Sequence, residues 1–277
     1  MASMRIREAL PHIFQKGYPV LDPKTKMLPA MSLLRFHEID VLPLSFDGRR
    51  KQQRALFGSS CLAKIMLLGP THFKAFLDRP CEVASDELVS VRANQSLSGL
   101  LNAFSRTRLG FASVQERGGF SALVSLSDVL GLYETGVVAS DLIVEEIGSP
   151  IFSMPGETTL RKVLDEMFQK WHRRVFVGGK REFISDRGII AYIFSPTVLN
   201  PLMQEKEVMT NVLDAPISSV ERMAANEVAP DTTLKQAASA LESEKAGQCL
   251  VFNGMVVTPW DLVVKPWKAK ALKLKNG

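Results

Sequence analysis

One order of elements recurs four times in this chain of 277 residues, and that recurrence limits the fold more than any other feature. A period of tens of residues means that each copy is a small supersecondary block, too small to bury its own apolar face without a neighbour. Each copy begins with an extended start and a turn. An amphipathic helix follows, then an apolar strand, a polar turn, a second apolar strand and another helix. In copy four, Val228 to Leu234 is a strand end, a turn and a helix cap. Leu234, Ala237, Ala238 and Leu241 then share one face of a helix expected over 234–245. Gln248 to Phe252 reads as a buried strand, Asn253-Gly254 as a hairpin turn and Met255 to Val257 as the return strand. Thr258-Pro259-Trp260-Asp261 opens the last helix, with Thr as N-cap and Pro at the first helical position.

Copy two runs from Val91 into a helix bearing Leu97, Leu100, Leu101 and Phe104, then the strands Phe111 to Val114 and Ala122 to Val124 around a turn at 116–119. Copy three has a helix bearing Leu160, Val163, Leu164 and Met167, strands at Val175 to Val177 and Phe183-Ile184, and a Gly178-Gly179 turn. Copy one runs from Leu21 through Met27 and Leu33-Leu34 to the strands Val41 to Leu44 and Ala55 to Phe57, joined by a longer basic turn from Asp47 to Arg54. The expected helix starts, Met27, Leu97, Leu160 and Leu234, lie 70, 63 and 74 residues apart. From these to Lys64, Asp128, Gly188 and Asp261 the distances are 37, 31, 28 and 27, so only turn length varies much, as surface insertions do.

The last strand-to-helix junction carries a pattern of the type Gly-h-h-[Ser/Thr]-x-x-Asp, where h is apolar. Copy two reads Ala122-Leu-Val-Ser125-Leu-Ser-Asp128 and copy four Met255-Val-Val-Thr258-Pro-Trp-Asp261, both keeping the hydroxyl and the carboxylate. Copy three, Glu182-Phe-Ile-Ser185-Asp-Arg-Gly188, lacks the carboxylate, and copy one, read as Gly58-Ser-Ser-Cys61-Leu-Ala-Lys64, keeps only the glycine. This order and signature resemble the cystathionine β-synthase (CBS) domain, over roughly residues 18 to 267. The resemblance implies an α+β fold of four β-α-β-β-α repeats arranged as two pseudo-twofold Bateman modules. It further implies a regulatory, non-catalytic protein that needs no cofactor. The clefts of such modules take adenosine-containing ligands: AMP, ADP, ATP or S-adenosylmethionine.

Carried onto this chain, the resemblance implies ligand sites at Ser125 and Asp128, with Val91 and Phe111, and at Thr258 and Asp261, with Val228 and Gln248. A carboxylate can accept from both ribose hydroxyls in strong charge-assisted bonds, and a helix N-terminus favours phosphate. Lys64 and Gly188 cannot accept such protons, so one competent cleft per module is expected. Ser-x-x-Asp and Thr-x-x-Asp are also capping boxes, in which the acid turns back to the N-cap amide. An Asp used as a cap is less free for ribose.

The expected divisions are an N-terminal segment 1–17, repeats at 18–79, 80–135, 136–200 and 201–267 (the last led by a linker, 201–225), and a basic tail 268–277. Residues 135–150 join the two modules, and Met203 to Leu213 in the second linker reads as helical. The net charge of +5 is the charge of the tail: residues 265–277 hold five lysines and no acid, leaving the rest neutral. The tail reads as a frayed, solvated end. Its lysines and the turn from Arg49 to Arg54 keep a nucleic-acid-associated role open, and a ligand-free assembly scaffold is a further alternative. A homodimer or a partner protein would read the state of the modules.

Cys61, Cys81 and Cys249 form no CxxC or CxxH pair, and they read as buried thiols of a reducing compartment. The four histidines, His12, His37, His72 and His172, form no catalytic constellation, and His172 reads as a surface or interface residue. The absence of a signal-like segment and of a run of about 18 apolar residues points to a cytoplasmic protein with no membrane contact.

Overall fold

The computed structural model describes residues 4–45, 53–69, 72–117, 119–179, 181–242 and 249–274. Gln248, the end of the helix expected to 245 and most of the Asp47 to Arg54 turn lie outside them. The four first helices, Met27–Phe36, Leu97–Thr107, Leu160–Lys170 and Leu234–Glu242, begin at the four residues expected. Ser96 and Thr159 cap theirs by accepting from the amides of Gly99 and Lys162. The Asn253-Gly254 turn has φ of 43° and 77°, the left-handed pair that a two-residue hairpin turn requires.

Each repeat contributes a parallel pair and a hairpin. In repeat two, Ser90–Arg92 runs parallel to Phe111–Glu116, which pairs antiparallel with Gly119–Ser125. Repeat three matches it with Ser153–Met154, Arg174–Val177 and Glu182–Ser185, and repeat four with Asn226–Glu227, Leu250–Phe252 and Met255–Val257. In repeat one, Leu21 bridges Leu44 in parallel, and Val41–Leu44 pairs with Arg54–Phe57.

The lead-in to each repeat packs on the other repeat of its module. Ile6 and Arg7, ahead of repeat one, donate their amides to Gln95 and Ala93 of repeat two (2.9 and 3.0 Å). Cys81 and Glu82, ahead of repeat two, donate to Thr25 and Pro23 of repeat one (2.7 and 3.1 Å). Val144 and Glu145 repeat the arrangement on Thr232 and Pro230 (3.0 and 3.1 Å), and Ile217 and Ser218 on Thr158 and Gly156 (2.9 and 3.0 Å). Three of the four lead-ins then add a strand to the partner's hairpin: Asp86–Glu87 on repeat one, Ser149–Pro150 on repeat four and Met223–Ala224 on repeat three. The N-terminal lead-in instead forms a 3-10 turn, Pro11–Phe14, against repeat two.

The cores follow from this. Sheets face sheets within a module: Val41, Ala55 and Phe57 of repeat one meet Leu123 of repeat two, and Phe176 and Phe183 of repeat three meet Cys249 and Val251 of repeat four. Helices face helices between modules. Leu100, Phe104 and Val129 of repeat two share a core with Ala238, Leu241 and Val263 of repeat four, and Met31, Leu62 and Ile65 of repeat one with Leu164, Ile190 and Ile193 of repeat three. A Cβ on Gly58 would lie 2.5 Å from Ile190 Cδ1, so that glycine serves the close approach of two helices.

Two expectations are corrected. The stretch Met203 to Leu213 is not one helix: Pro196–Met203 and Met209–Asp214 flank a turn. The tail is not frayed through its described part. The helix Pro259–Lys268 continues into it, and Leu272–Leu274 pairs antiparallel with Val138–Ser140. Leu272 is buried in the core shared by repeats two and four, and Lys273 pairs with Asp141. Trp260 and Trp267 pack against the same core as anchors.

Ending the chain after Ala271 should therefore cost the burial of Leu272, about 1.5–3 kcal/mol. Calorimetry should record a fall of several degrees in Tm, and an unchanged Tm would show that the strand contributes nothing. Burial pushes the Cys61 thiol up to about 12 and Cys81 and Cys249 up to about 11. All three should resist a thiol reagent at pH 8 in the native state and react on unfolding.

Candidate functional site

The junctions that carry the signature are helix N-termini at the ends of the hairpins. Phe111 stands opposite Ser125 in the ladder, and Ser125 is the N-cap of Leu126–Glu134. The Ser125 amide and hydroxyl donate to Asp128 Oδ2 at 2.7 and 2.6 Å, and the Asp128 amide donates back to Ser125 Oγ at 3.3 Å. The second oxygen, Oδ1, accepts from Lys16 Nζ at 2.8 Å, with His12 Nε2 at 3.5 Å. The Asp128 side chain is 2% exposed, so both of its oxygens are in use and water is nearly excluded. Burial by itself would lower the pKa of the Lys16 ammonium, but Asp128 outweighs it and holds the pKa above its ordinary value. Tyr18 is pushed up by burial and by the same carboxylate. Its ring packs on the sheet-to-sheet cluster that Phe111 also joins, with Lys16 Nζ 5.8 Å from the ring centroid.

Repeat four builds the equivalent site from different partners. Thr258 donates its amide and hydroxyl to Asp261 Oδ2 at 2.8 and 2.7 Å. Asp261 Oδ1 accepts from Ser149 Oγ at 3.1 Å and from Lys265 Nζ at 2.9 Å, one helical turn along. Lys265 also reaches the Gly148 carbonyl and the Ser149 hydroxyl.

In repeat three, Ser185 caps by accepting from the Gly188 amide at 3.1 Å, and no carboxylate stands at that third helical position. In repeat one the register expected for the signature is shifted by one helical turn. The helix Gly58–Met66 has Phe57 as its N-cap, without a side-chain cap, so Ser60 and not Lys64 corresponds to Asp128. Lys64 instead donates to the Ala84 carbonyl at 2.7 Å.

The softer site residues are scattered. Val91 pairs with Val114, three residues along the strand from Phe111, and is 3% exposed in the helix-facing core. Val228 is half-buried and donates its amide to Val251 O at 3.0 Å. Gln248 lies outside the described residues. A cavity of about 510 Å³ opens between Ser153, Met154 and the Gly178-Gly179 and Gly254 turns, at the hairpin ends opposite Ser185 and Thr258, with no charged group in its lining among the described residues.

A cluster that the sequence reading did not assemble spans the module interface. Asp40 of repeat one lies 2.9 Å from both Arg173 and Arg187 of repeat three, and Arg173 Nε is 2.8 Å from Asp186. Asp40 and Arg173 occupy the same place in their repeats, just before the first hairpin strand. Burial would raise the Asp40 carboxyl, but the two guanidiniums outweigh it and hold it below its ordinary value. His172 stacks on Phe152 with centroids 5.0 Å apart, and burial, with Lys170, lowers its pKa. Among the described residues, no group of three or more His, Cys, Asp or Glu is placed to hold a metal.

The lysine arm at Asp128 was also missed, because 112 residues separate the two groups. One local signal pointed to it. Glu8 accepts from the Arg5 amide as Glu146 does from Ile143, so the N-terminal segment carries the same capping pattern as the lead-in to repeat three.

No protein-family model matches the sequence, and no curated relative matches it. Its fold is that of known structures. A Methanocaldococcus jannaschii protein, described as a candidate archaeal homologue of γ-AMPK, superposes with a TM-score of 0.79 at 14% identity, over 94% of this chain and 99% of that one. Two CBS-domain proteins match about half the chain. One from Agrobacterium tumefaciens has 18% identity and a TM-score of 0.39, covering 46% of this chain and 98% of its own. One from Pyrobaculum aerophilum, crystallised with AMP, has 17% identity and a TM-score of 0.36, covering 45% and 89%. The chain thus has the α+β fold of tandem CBS-domain proteins along nearly its whole length.

Asp40 joins repeat one to repeat three, so Asp40→Ala should lower stability by about 2 kcal/mol, discounted from a fully buried pair because Arg173 is 45% exposed. With a lowered folded-state pKa, the Asp40 contribution is present above pH ~4 and is lost as pH falls through the folded value. Urea unfolding at pH 7 and pH 3 should show a larger deficit for the variant at the higher pH.

Proposed function

We propose that this chain is a non-catalytic regulatory protein. Its two modules bind an adenosine-containing ligand, AMP, ADP or ATP, with S-adenosylmethionine the other candidate, and relay occupancy to a partner protein or a second copy. The observation that carries this reading is the recurrence of one hydroxyl-carboxylate pair at the same helix N-terminus in repeats two and four, Ser125–Asp128 and Thr258–Asp261, within a tandem CBS fold. Ribose hydroxyls, donating to Oδ1, would take over the role now filled by Lys16 and Lys265, and a phosphate would be favoured by the positive end of the helix dipole. The repeats are proposed to span 18–79, 80–135, 136–200 and 201–267.

The alternative of a nucleic-acid grip through the tail loses support, because Lys265 and Lys273 are committed to Asp261 and Asp141. Among the described residues no helix is long and apolar enough to cross a membrane, in keeping with a cytoplasmic role.

Calorimetric titration with AMP, ADP, ATP and S-adenosylmethionine tests the reading. At least one should bind, and Asp128→Asn with Asp261→Asn should weaken it tenfold or more. A ligand at a hundred times its Kd should stabilise the fold by about 2.7 kcal/mol. Silence with all four ligands would overturn the proposal.

A further inference from the structure

We infer that residues 16–18 are a built-in occupant of the repeat-two cleft, a displaceable arm that competes with the ligand for Asp128. The inference rests on the reading of Asp128 as a ribose acceptor and adds to it the regulation of that site. The N-terminal segment has two parts of different character. Ile6, Leu10 and Ile13 are each 0% exposed and belong to the core shared by repeats two and four, so this part is an anchor. From Gln15 to Gly17 the chain is exposed, and a Cβ on Gly17 would meet nothing within 4 Å. This part lies over the cleft and touches it through side chains.

Lys16 Nζ takes Asp128 Oδ1 at 2.8 Å, the oxygen the capping box leaves over. Tyr18 places an aromatic ring against the apolar cluster that includes Phe111. A cation on Asp128 and a ring in the cluster with Phe111 stand at two of the residues that the site reading gives to an adenosine. The other three lead-ins place a strand against the partner hairpin, and this one alone sends a lysine over the signature carboxylate. In repeat four the cation on Asp261 comes from its own helix and the lead-in adds only the neutral Ser149 hydroxyl, so of the two carboxylates Asp128 is the one whose cation is supplied by a separate segment.

The Lys16 side chain is 52% exposed, so its bond is of the weak, displaceable kind. A competitor of that strength reduces apparent affinity by roughly three- to fivefold. The test is titration of the full chain with adenosine, which has no phosphate, and with AMP. Lys16→Ala should tighten both about three- to fivefold, Lys16→Arg should restore the original affinity, and the gain should vanish in an Asp128→Asn background. The sign is diagnostic, because removing a lysine otherwise disfavours an anion. Equal affinity in the parent and Lys16→Ala would overturn the arm and leave the ligand site standing. Weaker AMP binding with adenosine unchanged would overturn it by making Lys16 a phosphate contact. Binding of neither ligand by any variant would overturn the arm together with the site reading it rests on.

Discussion

The exchange of lead-in segments within each module holds the rest of the structure in place. A single repeat has a parallel pair and one hairpin, with an open edge and an uncovered helix N-terminus. Such a unit is marginal alone, because the backbone groups at its edge and the apolar face of its sheet both need cover. The segment ahead of each repeat supplies that cover to its neighbour. The paired amide bonds at Ile6, Cys81, Val144 and Ile217 are one contact made four times. Once the lead-ins are exchanged, the sheets of a module face each other. The helices are left outward, and they bury their faces only by meeting the helices of the other module.

The candidate clefts inherit their chemistry from this cover. Because a lead-in crosses each helix start, the carboxylates of repeats two and four are closed off from water, at 2% and 5% exposure. Capping and ligand binding draw on the same atoms. Oδ2 of each Asp is held by the N-cap residue, and Oδ1 is the only oxygen left for exchange. In both sites it holds a lysine. A buried carboxylate oxygen needs a hydrogen-bond partner, and a partly exposed lysine fills that need in both sites.

Much of the architecture was legible in the residues. Helix starts at Met27, Leu97, Leu160 and Leu234 are local events, marked by an apolar face and a polar lead, and a repeat confirms each one by the other three. The Asn253-Gly254 turn was legible for the same reason. Repeat one was aligned a turn too far because its N-cap is Phe57, which has no hydroxyl to mark it, while Gly58 imitates the first residue of the signature. The glycine is there for Ile190 of another repeat, and no local pattern reveals that. The tail looked frayed because its lysines dominate its composition. Alternate apolar residues, Leu272 and Leu274, were enough to make a strand once Val138–Ser140 lay beside them.

By itself the sequence determined the unit: four copies of a helix, a hairpin and a helix, with a hydroxyl-carboxylate pair in two of them. Periodicity, caps and turns act over a few residues, and the chain carries that information directly. Tertiary structure alone decided which repeats share a core, where the Asp40 to Arg173 link forms, and what stands on Asp128. Those contacts join residues more than a hundred positions apart. Their partners are chosen by packing, and nothing in the local sequence of either partner names the other.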